Sequence, residues 1–356
     1  QTYGGKSYPA AQYQDDNGIF LVMFDPVTHF PAVVRTRDFD AHMSDPDYDA
    51  AYSDWRSVGS DSRFKYPFRI AYTLNGVSVA DVTVEQVRIN EPLPADTFAV
   101  PPQLDGQAPK PAAAEKTPFQ WIIRRLASGF YLDSDALHMD DGGTLALTDV
   151  GPNISLVTGG SHNALIVATN DSLVAFDAPG DDGLSNWIMD AARRKYPGKP
   201  FRYVVLTHHH LDHTGGIRAA VSEGLTLVAH ESSKEFLTML VKRRHTIYKD
   251  AASQNPRAPE IETVGDRLTM KDDKQTLELY HVDTEHADSM LVAYLPKDGI
   301  IVQGDLYSPI FAAQHFLPDF LKLMDAHKLE VATHAPIHGP LQTEAEFRKA
   351  IGGDKQ

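Results

Sequence analysis

Cysteine is absent from the 356 residues. Disulfides, a thiol nucleophile and thiolate zinc sites are therefore excluded. The compartment stays open, because a chain without cysteine survives in any redox environment. Long apolar runs are also missing, and none approaches the roughly 20 residues that span a bilayer. Positive charge is scarce: 33 Lys and Arg stand against 48 Asp and Glu, a formal net charge of −15. That balance argues against nucleic acid or an anionic membrane as a general partner, since phosphate contacts need clustered Lys and Arg. The densest basic stretch, Lys242 to His245, is short and reads as a solvated helix face. No G-x-S-x-G nucleophile elbow occurs. Asp45, Asp47 and Asp49 alternate like the start of a calcium loop, but Ala50 and Arg56 stand where an EF-hand needs Gly and Glu. A solvated acidic turn is the expectation there.

What is present belongs to an ordinary globular chain. A hydrophobic fraction of 42% is ample for buried cores, and the length suggests two domains or three. Residues 1–91 read as an antiparallel β domain. Phe68, Ile70, Tyr72 and Leu74 alternate up to Asn75-Gly76, a pair suited to a tight hairpin turn with positive φ at both positions. The apolar phase slips once on the return strand, which predicts a bulge. An earlier hairpin is expected around Asp25-Pro26. Residues 92–141 are rich in Pro and Ala and read as a semi-rigid linker, followed by a helix with Phe119, Ile122, Ile123 and Leu126 on one face. Residues 142–356 then alternate strands with helices. Gln1 is not a natural start, so a removed leader and a periplasmic or secreted location are expected, with the cytoplasm as the alternative.

The densest chemistry lies in "THHHLDHTGG", Thr207 to Gly216. The preceding "FRYVVLT" is apolar and β-branched, as in a buried strand. Strand ends are where α/β proteins gather their sites. Along an extended segment, His208 and His210 point to one side and His209 to the other. Two imidazoles can therefore grip one metal ion, while Asp212 and His213 turn the corner toward a second. A lone histidine is usually structural, but a His-x-His-x-Asp-His run at a strand end is much better explained as a metal site.

This run resembles the signature of the metallo-β-lactamase-fold hydrolases, and further parts follow in order over roughly residues 143–352. "FDAPGDDG" resembles the family's strand-end aspartate at Asp177. "HADSMLVAYLPKDGIIVQGDLYSP" supplies His286 and Asp305, and "APIHGPL" supplies His338. The resemblance implies an α/β fold, an αββα metallo-β-lactamase sandwich behind the smaller β domain. It implies two adjacent metals, zinc first with Fe or Mn as alternatives. His208, His210 and His286 would hold one, Asp212, His213 and His338 the other, and Asp305 would bridge. Asp177 would orient the metal loop. His281 and His334 are near-misses, and His334 competes with His338 for the final place. His230 reads as structural.

The expected function is a dinuclear metal-dependent hydrolase of a small-molecule ester or lactone, in which two cations generate a hydroxide near neutral pH. Asp212 and Tyr307 are the catalytic candidates, Asp212 for orienting the nucleophile and Tyr307 for hydrogen-bonding an oxyanion. In true β-lactamases of this fold the Asp305 position is typically Cys or Ser, so aspartate resembles the glyoxalase II and lactonase side. The alternatives are a β-lactamase-like or thioester hydrolase and a mononuclear iron persulfide dioxygenase. The insertion from Val241 to Val264, with His245 and Tyr248, is expected to wall the pocket. The N-terminal region weakly resembles the half-barrel sheets of periplasmic lipoprotein carriers. That suggests lipid or partner binding, or a covering role. The expected partners are a small substrate and a second copy of the chain, with no nucleic acid and no membrane span.

Overall fold

The computed structural model describes residues 1–99 and 145–352, apart from short breaks at 16–17, 38, 61–62, 95, 159–161, 248 and 312–313. The helix expected around Phe119–Leu126, most of the linker and Tyr248 lie outside the described residues. Among the described residues no helix is long and apolar enough to cross a membrane. The chain divides into two compact units. The described part of the first covers 1–39 and 45–99, and that of the second covers 40–44 and 145–352.

The first unit is a six-stranded antiparallel meander: β1 (Ala10–Asp15), β2 (Gly18–Phe24), β3 (Pro31–Arg37), β4 (Asp47–Ser57), β5 (Lys65–Leu74) and β6 (Val77–Thr83). Asn75 and Gly76 have φ of 50° and 80°, as the tight turn requires, and the register slips between Tyr72 and Thr73. The β2–β3 turn is held by Asp25 Oδ1, which accepts from the Val27 and Thr28 amides. The acidic run is not the solvated turn expected from its composition. It opens β4, where Asp49 is 1% exposed and takes Arg35 Nε at 2.6 Å, while Asp47 takes Arg37 Nε at 2.7 Å across the ladder. Alternation in a sheet places like residues on one face, so the acids meet a matching row of arginines on β3.

The second unit has four layers. A seven-stranded sheet runs in the order β13-β12-β11-β10-β9-β8-β7, built from β7 (Ala146–Gly151), β8 (Ile154–Thr158), β9 (Ala164–Ala168), β10 (Leu173–Phe176), β11 (Phe201–Val205), β12 (Thr226–His230) and β13 (Glu260–Val264). A six-stranded sheet runs from β14 to β19: β14 (Arg267–Lys271), β15 (Thr276–His281), β16 (Leu291–Leu295), β17 (Ile300–Gln303), β18 (Thr333–Pro336) and β19 (Gln342–Thr343). Leu165, Val167, Val174 and Phe176 pack between the sheets against Leu279, Leu291, Ala293 and Val302. The alternate residues Ala164, Ile166 and Ala175 face α1 (Asp182–Lys195), α3 (Ile217–Ser222) and α4 (Lys234–Lys242). Strands buried on both faces read as continuous apolar runs rather than alternating ones, which is how β9 and β10 appear in the sequence. Beyond the second sheet, Tyr280, Val292 and Ile301 pack on α6 (Leu317–His327) and α7 (Glu344–Gly352) through Phe320, Met324 and Phe347. The remaining helices, α2 (Leu211–Thr214) and α5 (Ala251–Gln254), are single turns.

Candidate metal centre

Loops leaving the ends of β10, β11, β15, β17 and β18 supply Asp177 and the His and Asp side chains that form the two ligand-type groups. β10 ends at Phe176, and Asp177 follows with φ of 63°, a left-handed conformation that costs a non-glycine residue about 1–2 kcal/mol. The bend aims its carboxylate at the next loop: Oδ1 accepts from the Thr207 amide at 2.7 Å and Oδ2 from the Thr207 hydroxyl at 2.9 Å. His213 Nδ1 donates to the same Oδ2 at 2.7 Å. α2 then turns the chain, and the loop packs so closely that a Cβ on Gly215 would collide with the carbonyl of Gly180. Gly304 has a similar reason, since a Cβ there would lie 2.9 Å from Thr207 Oγ1 and 3.2 Å from His208 Nδ1. The His338 loop is fixed by Asn163, whose Nδ2 donates to the carbonyls of Pro336 at 2.9 Å and Gly339 at 2.6 Å.

Two groups of ligand-type atoms result, His208, His210, His286 and Asp305 in one and Asp212, His213, Asp305 and His338 in the other. In the first, His208 Nε2 lies 2.9 Å from His210 Nδ1 and 3.2 Å from His286 Nε2, which is 3.1 Å from Asp305 Oδ2. In the second, Asp305 Oδ1 lies 3.0 Å from His338 Nε2 and 3.2 Å from His213 Nε2, and Asp212 Oδ2 lies 3.1 Å from that same His213 nitrogen. Asp305 thus faces one group with each of its carboxylate oxygens.

The chemistry of this arrangement asks for a cation. His213 gives its Nδ1 hydrogen to Asp177, so in the neutral ring Nε2 carries a lone pair directed at two carboxylates. His213 Nε2 and Asp305 Oδ1 are both buried without a hydrogen bond. Electron pairs facing each other at such distances are held together only by positive charge, a proton on the ring or a metal ion. Five imidazoles and two carboxylates, with no sulfur, suit a borderline divalent metal. The electrostatics agree. Burial, aided by neighbouring imidazoles, holds His208 well below its ordinary pKa and His210 at about 4, so these rings are neutral and their lone pairs available. Burial would also lower His213 and His338, but carboxylates outweigh it. Asp177 and Asp212 push His213 well up, and Asp212 and Asp305 bring His338 to about 9. Burial opposes ionisation of Asp212 and Asp305, yet the surrounding histidines hold both carboxyls below the usual range.

Residues 147–311 match the family model described as the metallo-beta-lactamase superfamily. The matched stretch lies within the second unit. A curated relative, the 2,4-dinitroanisole O-demethylase subunit alpha of Nocardioides sp. (strain JS1661), is 25% identical to the chain over 168 residues, 46% of this chain and 47% of that protein. The chain therefore spans about half the length of the curated relative it matches. Among solved structures, a metallo-beta-lactamase from Pontibacter korlensis covers 60% of this chain and 100% of its own at 20% identity, with a TM-score of 0.46. A stereoselective inverting sec-alkylsulfatase from Pseudomonas sp. covers 58% of this chain and 40% of its own at 16% identity, with a TM-score of 0.45.

Within the second unit several expected roles change. Tyr307 does not face the metal groups. It is 3% exposed, packs edge-on to Phe347 and donates its hydroxyl to Gln342 Oε1 at 2.7 Å, so an oxyanion gains nothing from it. Alternation would put Tyr307 on the same side as Asp305, but the chain turns after Asp305 and carries Tyr307 into the apolar layer under α7. His334 does not compete with His338. It stacks on Phe347 and pairs with Glu344 Oε2 at 2.5 Å, away from the ligand atoms. His281 stacks on His230, and its Nε2 lies 3.0 Å from the Asp288 carbonyl. His209 turns away to Ser289 Oγ at 2.7 Å.

Three neighbours of the centre escape sequence reasoning. His162 Nε2 lies 3.1 Å from Asp212 Oδ2, and its ring sits 4.4 Å from that of His338. Its only signal was a His-Asn pair ahead of a buried strand, which by itself reads as a core histidine. Phe316 lies 4.9 Å from the His286 ring, and the exposed Phe311 lies 5.9 Å from that of His338.

Proposed function

We propose that the second unit is a dinuclear metal-dependent hydrolase that cleaves a carboxylic ester or lactone in a small, partly apolar molecule. The observation that carries this reading is Asp305, whose two oxygens face the two ligand groups separately. Zinc is the proposed metal. His208, His210 and His286 would hold the first ion and Asp212, His213 and His338 the second, with Asp305 between them. Bound there, two such cations supply a water of lowered pKa and polarise the attacked oxygen.

The chain's own residues do the rest. Asp177 fixes the tautomer and direction of His213 and anchors the loop through Thr207, as carboxylates behind ligand histidines do. Asp212, one carboxylate oxygen of which is shared by His162, His213 and His338, is the group placed to orient a nucleophile and to pass a proton toward the leaving oxygen. Phe311 and Phe316 offer apolar surface on the two sides of the centre, which favours an acyl or aryl group there.

The test is metal analysis of the purified protein together with a panel of lactones, aryl esters, thioesters, β-lactams and 2,4-dinitroanisole. The last is included because of the activity in the name of the curated relative. About two metals per chain, loss of activity on chelation, and preference for lactones or esters are expected. Full turnover in metal-free protein sinks the mechanism. Selective turnover of a β-lactam or of the aryl ether replaces the substrate class, and a single iron with no hydrolysis replaces the reaction.

A further inference from the structure

The basic stretch from Lys242 to His245 lines a cavity of about 720 Å³. This volume lies within the range of roughly 300–1,000 Å³ that holds small ligands. Lys242, Arg243, Arg244, Lys249 and Arg257 line the cavity, Arg218 lies at its base, and no Asp or Glu is among the lining residues. Lys242, Arg244, Lys249 and Arg257 make no ion pair among the described residues, and Arg243 is engaged by a backbone carbonyl. Lys242, Arg244, Lys249 and Arg257 are exposed, so the concavity carries a local positive field in a chain of net charge −15.

The base of the cavity does not offset this field. Arg218, 2% exposed, is held by Asp250 through Nε at 2.5 Å and Nη2 at 2.9 Å, so that pair is neutral within itself. His245 Nδ1 meets the same carboxylate at 2.5 Å. Arg257 reaches the rim from the far side of α5, and its guanidinium lies over Gly224 just after α3. Cations from the end of α4, from the loop before α5 and from the loop after it therefore come together, although up to 15 positions separate them in sequence.

We infer that this cavity binds a small molecule bearing a multiply charged oxyanion group, phosphoryl or sulfuryl. Several Lys and Arg donors around one concavity match the tetrahedral oxygens of such a group better than a single carboxylate. None of the lining residues belongs to the metal-ligand groups, so the site is separate from the centre described above and does not depend on the hydrolase reading.

The experiment is calorimetric titration of the metal-loaded full chain with pyrophosphate and, separately, with sulfate. Wild type is compared with the triple variant Arg244→Gln, Lys249→Gln, Arg257→Gln, with metal content and near-ultraviolet circular dichroism measured on the same samples. The expected result is saturable binding of at least one probe, weakened about 10-fold or more in the triple variant at unchanged metal content. The probe that binds more tightly identifies the oxyanion. Should the triple variant lose its fold, the exposed single variant Lys249→Glu takes its place, with weakened binding expected. Two results overturn the proposal. One is no binding of either probe up to about 10 mM, the range of affinities too weak for a built site. The other is equal binding by wild type and variant, which puts the probe on the metal centre.

Discussion

Two buried His–Asp pairs adjoin the same short helix, α3, one through His213 just ahead of it and one through Arg218 on it, and the protein treats them differently. Ahead of the helix, His213 meets Asp177 at 2.7 Å, and the other ring nitrogen is left facing two carboxylates without a hydrogen bond. On the helix itself, Arg218 meets the Asp250 carboxylate that His245 also holds. Its guanidinium goes on to the carbonyls of Val241 at 2.6 Å, Arg243 at 2.8 Å and Leu240 at 3.1 Å. The second cluster pairs its buried charges internally, so it fastens α4 and α5 to α3. The first leaves charge open and becomes complete only with a cation from outside. Both hold a buried histidine on a buried carboxylate, but only the second includes an arginine. What separates a brace from a reactive centre is whether the buried carboxylate has a fixed counter-charge, as Asp250 has in Arg218 and the carboxylates around His213 do not.

That contrast is broken most severely at Arg218. Arg218→Ala leaves Asp250 buried without its main counter-charge, and removing one partner of a buried pair costs about 3–5 kcal/mol. The expected outcome is a drop of roughly 10 °C in the melting temperature of the second unit. Metal content per folded chain should stay at the wild-type value. Loss of metal at full stability would mean that the brace belongs to the centre.

Asp305→Ala is the matching cut on the other side. A bridging carboxylate holds two cations together and offsets their repulsion, and its loss leaves three ligands in each group. Partial metal loss and a fall in kcat of at least about 100-fold, or roughly 2.7 kcal/mol, are expected. Folding should be little affected when melting is compared with chelated wild type. Two retained metals and normal turnover would show that Asp305 is not shared.

Asp177→Asn sharpens the comparison at the one contact that the two clusters have in common. An amide still accepts from Thr207, but it no longer supplies the negative charge behind His213. Metal affinity, measured by competition with a chelator, should weaken about 10- to 100-fold. An unchanged affinity would make the His213–Asp177 pair a brace of the same kind as His245–Asp250.

How much of this was legible depended on how local the cause was. The ligand grouping within Thr207 to His213 follows from chain direction at a strand end, and Asp305, His286 and His338 followed from ordered motifs. The turn at Asn75-Gly76 was equally local, since both residues must take positive φ. The failures share a different cause. Tyr307 and His334 were placed by what packs on them, Phe347 and Glu344 from α7, and no pattern around either residue announces that contact. Asp47 and Asp49 read as a turn because their partners, Arg37 and Arg35, lie 10 and 14 positions away. Arg218 and Asp250 are 32 positions apart, so the brace was invisible in the sequence. His162 needed the fold to bring it to Asp212, 50 positions on.

The smallest effect is expected at His209, the histidine that the run contains but neither group uses. Its ring is half-buried and points to Ser289, with Nδ1 at 2.7 Å from Oγ, while its own amide donates to that same oxygen at 3.2 Å. His209→Ala removes the ring contact and keeps the backbone one, so Ser289 retains a partner. A single neutral hydrogen bond contributes about 0.5–1.5 kcal/mol, and a loss of about 1 kcal/mol in stability is expected. Metal content and kcat should stay within about 2-fold of wild type, because uninvolved positions usually lie within about 0.5 kcal/mol. The ring nevertheless lies 5.0 Å from that of His210, so the substitution also asks whether His210 keeps its direction without a neighbour. Loss of metal without loss of stability would place His209 in the support of the first group. The boundary between closed and open polar clusters would then run one residue further into the loop.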